Sequence, residues 1–253
     1  MSIRARRIFI GLAAAVIVSW MGSALLCWLC LGLTADTFVL GIQSGPLLAA
    51  NLVKHLLHPE RHFAGLEPPQ VVSLLKRDFG LGVTVSDGRR LYDLVVEKGY
   101  RHALDLGTAK GYAALWIGLA MKKTGGKVIT IEIDPEVAAI AREHFRQAGL
   151  GSVIDSRIND ALLEIPKIPG EFDFVFMDVG APLNKKLLDL FYTRILPGGV
   201  IAAHNAITFR FGQADYLDAI TTDPNLITSF IPTLSGGISL TFKKASQTAT
   251  EVP

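Results

Sequence analysis

From residue 71 onward, apolar positions alternate between a helical and a strand-like period. Residues 71–79 and 91–98 carry apolar side chains at helical spacing, the second run opening near Ser86-Asp87-Gly88 and closing at Gly99. A short apolar run, 101–106 (RHALDL), enters a glycine turn, 111–123 is helical, and 127–133 (KVITIEI) is β-branched and strand-like. Asp134-Pro135 offers an N-cap followed by proline at the first helical position, starting a helix that ends near Gly149. The alternation continues with a strand over 153–158, a short helix over 161–165, a strand over 172–178 (FDFVFMD) and a helix over 183–195. A turn at Pro197-Gly198-Gly199 and a strand over 200–204 follow. Strand and helix repeated in this way predict a parallel sheet covered by helices on both faces. The end differs: 227–233 and 238–243 are joined by Leu234-Ser235-Gly236-Gly237, short enough for a hairpin, so an antiparallel pair closes the sheet.

The first part of the chain reads differently. Residues 8–33 carry no charge, and as a helix rising about 1.5 Å per residue they exceed the roughly 30 Å hydrocarbon core of a bilayer. The run is longer than the apolar core of a signal peptide, and Leu33-Thr34-Ala35 is a poor cleavage site, so an uncleaved membrane anchor is expected. Cys27 and Cys30 fall inside that span as apolar-tolerant residues. The expected organisation is an anchor over 1–33, a juxtamembrane segment over 34–70, an α/β domain over 71–244 and a polar tail over 245–253. His55, His58 and His62 lie at near-helical spacing, but Pro59 interrupts the helix that would align them as metal ligands.

Charge adds two constraints. The net charge is +2 and Arg4, Arg6 and Arg7 account for the excess, so no basic surface for nucleic acid is implied. Those arginines precede the span, which by the positive-inside rule keeps the N-terminus cytoplasmic and exports the domain. A second pass over 38–57 would return the domain to the cytosol, at the cost of burying Gln43, Pro46 and Asn51. The reading leans to a membrane protein with a cytosolic domain.

In open α/β sheets ligands bind beyond the carboxyl ends of the strands. The first such turn is Asp105-Leu106-Gly107-Thr108-Ala109-Lys110-Gly111-Tyr112, in which two glycines four apart permit a tight turn and close backbone approach, and Asp105 can accept from a cationic amine. It is not a dinucleotide fingerprint, because Ala109 stands where the central glycine belongs. Glu132 ends the second strand, where a carboxylate can hold both ribose hydroxyls. A turn without a phosphate signature beside a ribose-binding acid points to an adenosine ligand lacking pyrophosphate.

At this point the sequence resembles the class I S-adenosylmethionine-dependent methyltransferases, and within them the catechol O-methyltransferase-like O-methyltransferases, over about two thirds of the chain. DLGTAKGYAALWI looks like the first motif of that family, GGKVITIEIDPEVAAIAR like the second, and LPGGVIAAHNA like the motif on the fifth strand. The resemblance implies a seven-stranded Rossmann-like sheet with an antiparallel last strand. It implies that Asp105, Gly107, Thr108, Gly111 and Tyr112 hold the methionine end of S-adenosylmethionine, Glu132 and Ile133 the ribose side, and Asp160-Ala161 the adenine. Asp178 would stand on both the cofactor and the catalytic side.

Catechol-type members bind a divalent cation through two Asp and an Asn, with a lysine three residues after the first Asp as general base. Here Asp178 and Asn205 match, His204 replaces the second Asp and Ala181 replaces the lysine. The implied metal set is therefore Asp178, His204 and Asn205, and the implied catalytic pair His204 and Asp178, with the imidazole as base. The expected function is methyl transfer to a hydroxyl of a small, phenol-like acceptor. A non-catalytic descendant that binds the cofactor or a partner is the alternative, and a homodimer stays open.

Overall fold

The structure, a computed structural model, describes residues 59–67, 69–76, 82–233 and 235–245. The expected span, the second pass over 38–57, Cys27, Cys30, His55, His58 and most of the polar tail lie outside the described residues. Among the described residues no helix is long and apolar enough to cross a membrane.

Seven strands form one sheet: β1 (His102–Leu106), β2 (Lys127–Glu132), β3 (Ile154–Ile158), β4 (Phe172–Met177), β5 (Ile195–His204), β6 (Leu226–Ile231) and β7 (Ile238–Lys243). Their order is β3-β2-β1-β4-β5-β7-β6. The first five are parallel, whereas β7 runs antiparallel to both β5 and β6. The central strands are buried on both faces, which is why β1 and β4 read as nearly continuous apolar runs.

One face is covered by α1 (Pro69–Leu75), α2 (Val85–Lys98), α3 (Tyr112–Thr124) and α4 (Pro135–Gln147), packed around Trp116, Leu91, Leu115 and Phe176. The other face carries α5 (Ala161–Glu164), α6 (Asn184–Phe191) and α7 (Ala214–Thr222), with Leu187, Phe191 and Tyr216 against Val175 and Met177. The two opposed layers exclude water from both sides of the sheet and leave its strand ends as the accessible edges.

Three boundaries depart from expectation. Helix α2 begins at Val85, capped by Thr84 with Asp87 as the third residue of a capping box, just ahead of the expected opening near Ser86-Asp87-Gly88. Pro197-Gly198-Gly199 is not a free turn but lies inside β5, where the register against β4 shifts between Phe172 and Phe174. Helix α7 was not expected, and its start at Gln213 has no side-chain cap that a sequence reading would find.

Candidate active site

The sheet order reverses between β1 and β4, so the carboxyl ends of these strands open a crevice. Residues 107–111 turn there. Gly107 has φ 93° and Gly111 φ 89°, and a Cβ on Gly107 would come within 2.4 Å of the Asp178 carbonyl oxygen. That approach joins the first loop directly to the end of β4. Ala109 also adopts a positive φ, 45°, and its backbone N–H donates to Glu132 Oε2 at 2.8 Å.

Glu132 is thus a hub for backbone donors. Its Oε1 accepts from Ile133 N at 3.0 Å and Asp134 N at 3.1 Å. Beside it Ile133 is 67% exposed, and Ile158, the register partner of Glu132 on β3, is also partly open, so apolar surface lies next to the acid. Asp160 accepts from Leu162 N at 2.8 Å and caps α5, with Ala161 the first residue of that helix. A carboxylate at the rim, an exposed apolar side chain beside it and a glycine-bordered loop fit a nucleoside with an aliphatic charged end.

Asp105 and Thr108 face the other way. Asp105 is fully buried, and its Oδ2 accepts from Thr130 Oγ1 at 2.6 Å, while Thr108 Oγ1 lies 2.5 Å from Thr130 Oγ1. Their side chains brace the loop from within. Burial pushes the Asp105 carboxyl up to about 7, the Thr130 bond opposing and the charges of Asp178 and Glu132 adding to the rise. Tyr112 donates its hydroxyl to the Leu75 carbonyl at 3.1 Å and packs edge-on against Trp116, so it ties α1 to the loop.

The catalytic candidates meet where β4 and β5 end. His204 Nδ1 lies 3.0 Å from Asp178 Oδ1 and 3.1 Å from Asn205 Nδ2, and Asn205 Nδ2 lies 3.5 Å from Asp178 Oδ1. Asn205 takes φ 59°, a conformation that asparagine tolerates better than most residues, and this turns its amide back toward the pair. Protonated, Nδ1 donates to the carboxylate; unprotonated, it accepts from the asparagine amide.

The donor set of one carboxylate, one imidazole and one amide fits a transition-metal ion better than Mg²⁺, which prefers an all-oxygen shell. Among the described residues no group of three or more His, Cys, Asp or Glu side chains is arranged to hold a metal.

Ala181 opens a short 3₁₀ turn, and the nearby Lys185 does not take over the place of the expected lysine, because its Nζ is held by both oxygens of Asp189 at 2.7 Å. Two groups that sequence reasoning missed complete the site. Asn184 Nδ2 donates to Gln213 Oε1 at 2.6 Å, and Gln213 Nε2 donates to the Asn205 carbonyl at 3.2 Å, so a buried amide pair ties the loops after β4 and β5 together. Asp87, on α2, sits behind His204, with Oδ2 4.0 Å from His204 Nε2. No local signal marks either group, since each acts on residues far along the chain.

Residues 76–230 match the model of the O-methyltransferase family. A catechol O-methyltransferase from Niastella koreensis is 32% identical over 148 residues, which cover 57% of this chain and 65% of that one. The mouse catechol O-methyltransferase domain-containing protein 1 is 30% identical over 165 residues, covering 62% of this chain and 58% of its own length. The chain therefore spans less than two thirds of either relative. Among solved structures, the Bacillus cereus O-methyltransferase in complex with SAH superposes with TM-score 0.63 at 20% identity, covering 76% of this chain and 97% of that one. A Streptomyces achromogenes O-methyltransferase of tomaymycin synthesis, in complex with SAM, gives TM-score 0.64 at 20% identity over 75% of this chain and 96% of its own.

Proposed function

Because the chain belongs to the O-methyltransferase family, we propose that it transfers the methyl group of S-adenosylmethionine to a hydroxyl of a small, phenol-like acceptor. The observation that carries this reading is the meeting of Asp178, His204 and Asn205 beside the Gly107 turn, which brings a proton acceptor to the edge of the nucleoside crevice. The complexes of the Bacillus and Streptomyces relatives with SAH and SAM support the choice of methyl donor.

The chemistry is an in-line displacement. The acceptor oxygen attacks the methyl carbon, the carbon–sulfur bond breaks with its electron pair remaining on sulfur, and a neutral thioether leaves. Glu132 would hold the ribose hydroxyls, and the loop from Gly107 to Gly111 would align the sulfonium arm. His204 Nδ1 would take the hydroxyl proton, and Asp178 Oδ1 at 3.0 Å would accept the new N–H, stabilising the imidazolium. A divalent transition-metal ion on Asp178, His204 and Asn205, when bound, would engage His204 Nδ1 as a ligand in place of its role as proton acceptor, and would supply a Lewis acid that makes the acceptor hydroxyl more acidic. Leu183, Phe209 and Phe211, all exposed on the segments that follow β4 and β5, favour an acceptor with an apolar body.

The uncharged run over 8–33 supports a membrane-anchored protein, and the need for a cytosolic methyl donor supports a cytosolic domain. A second reading, a cofactor-binding descendant without turnover, is favoured by Ala181 in the place of the family lysine. Purified protein incubated with S-adenosylmethionine and a panel of phenols separates the two. Formation of S-adenosylhomocysteine with any phenol supports the first, and tight binding without turnover across the panel supports the second.

A further inference from the structure

The segment that follows β5 carries an arginine between two aromatic side chains, Phe209-Arg210-Phe211, with Phe209 55% and Phe211 70% exposed. It is held at the strand end because it folds back on Asn205. The Asn205 carbonyl accepts from Phe209 N at 3.1 Å and from Gln213 Nε2 at 3.2 Å, and Gly212 N donates to the Phe209 carbonyl at 3.0 Å. The loop after β4 lies against the same segment, since a Cβ on Gly212 would stand 3.8 Å from the Ala181 methyl. Arg210 therefore belongs to the pair of loops that border the crevice on the side of Asp178 and His204.

The guanidinium is partly buried and only partly used. Its Nη1 donates to the Ile207 carbonyl at 3.2 Å, its Cζ lies 4.5 Å from the centroid of the Phe211 ring, and its Nε is enclosed with no hydrogen-bond partner. Among the described residues no carboxylate pairs with it, whereas Arg89, Arg146 and Arg157 are each held by one, and Lys185 on the neighbouring α6 is held by Asp189. A cation that has lost part of its hydration without gaining a counter-charge is completed by an anion brought by a ligand. Stacking on Phe211 fixes the plane of the fork, so that Nη2, which makes no hydrogen bond within the protein, is oriented before that anion arrives. Two exposed rings beside an open guanidinium complement an aromatic body that bears a carboxylate. We propose that the acceptor carries such an anionic group and that Arg210 is the residue that selects for it. The inference rests on the reading of this crevice as the acceptor site of methyl transfer, and it narrows the acceptor from phenols in general to hydroxyaryl acids. Without Arg210 the Asp178 carboxylate would repel an acceptor of that charge.

The experiment uses the full-length protein, S-adenosylmethionine and a panel of hydroxyaryl carboxylic acids, dihydroxybenzoate among them, each paired with its neutral amide. The parent protein should favour acid over amide by about tenfold or more in kcat/KM, the difference lying in the acceptor KM, because a charge-assisted hydrogen bond replaces a neutral one. Arg210→Gln should bring that ratio toward one, and Arg210→Lys, which keeps the charge but not the fork, should restore part of it. Lys186→Gln removes an exposed cation from the neighbouring α6 and should keep the parent ratio, which separates a specific contact from the general charge of the site. A parent without acid preference, an Arg210→Gln protein with the parent ratio, or an equal fall of the ratio in Lys186→Gln overturns the proposal. If the parent turns over no acceptor, titration calorimetry with S-adenosylhomocysteine present reads the same ratio as affinities. A preference for the acids that Arg210→Gln abolishes then supports the anion site and overturns the methyl-transfer reading, while equal or absent binding of acid and amide overturns the anion site.

Discussion

His204 Nδ1 and Asp178 Oδ1, 3.0 Å apart, join the carboxyl ends of two neighbouring parallel strands, β5 and β4. A proton on Nδ1 would donate to that carboxylate in a charge-assisted hydrogen bond, which is the arrangement the proposed base role of His204 calls for. Asn205, the residue after His204, places its Nδ2 3.1 Å from the same ring nitrogen.

Replacing His204, the proposed base, should separate chemistry from binding. His204→Gln is expected to lower kcat by about 100-fold or more, the usual worth of a positioned general base, while leaving S-adenosylmethionine affinity unchanged. Steady-state kinetics beside calorimetry checks this; equal losses in kcat and in affinity would mean that the ring serves packing.

Glu132, the proposed ribose ligand, gathers the Ala109, Ile133 and Asp134 backbone donors at the end of β2. Glu132→Ala removes charge-assisted bonds worth about 1.5–3 kcal/mol each, so S-adenosylmethionine should bind at least about tenfold more weakly. Titration calorimetry reads the change, and undiminished affinity would place the ribose elsewhere.

Asp105 makes stability depend on pH. Its carboxyl is raised from 3.8 to about 7 in the folded chain, so the folded state holds this proton more tightly than the unfolded state between those values. The contribution is complete below pH 3.8 and is lost as pH rises through about 7, where the buried group must ionise. Asp105→Asn should flatten the fall in Tm across that window, as measured by thermal melts at a series of pH values. A slope equal to that of the parent would assign it to other groups.

The Asn184–Gln213 bridge is buried and fixes the backbone at Asn205. Gln213→Leu leaves the Asn184 amide without its acceptor and should cost about 1–3 kcal/mol in chemical denaturation, with a loss of kcat as Asn205 loosens. A double-mutant cycle with Asn184→Leu should show strong coupling; additive losses would mean that the two amides act separately.

Topology is tested on sealed vesicles. If the chain anchors through residues 8–33 with a return pass over 38–57, external protease on right-side-out vesicles should spare the region after Pro68. Digestion of that region from outside rules out the return pass.

The parallel α/β alternation, the closing antiparallel pair, the glycine-bordered turn and the acid ending β2 were all legible in the sequence, because each is a local matter. Periods of 2 and 3.6, a proline after an aspartate and a glycine that needs positive φ involve only neighbours in the chain. The same locality explains the misses. Helix α7 begins without a side-chain cap, and the glycines at 198 and 199 read as a turn although they lie inside β5, at the point where its register against β4 shifts. The direction in which Asp105 and Thr108 face was decided by register, because β1 against β2 sets Asp105 opposite Thr130. The pairing of Asp87 with His204 was decided by packing alone. Helix α2 and strand β5 are distant in sequence, and only the packing of the sheet end against that helix brings the buried Asp87 carboxylate to 4.0 Å from His204 Nε2.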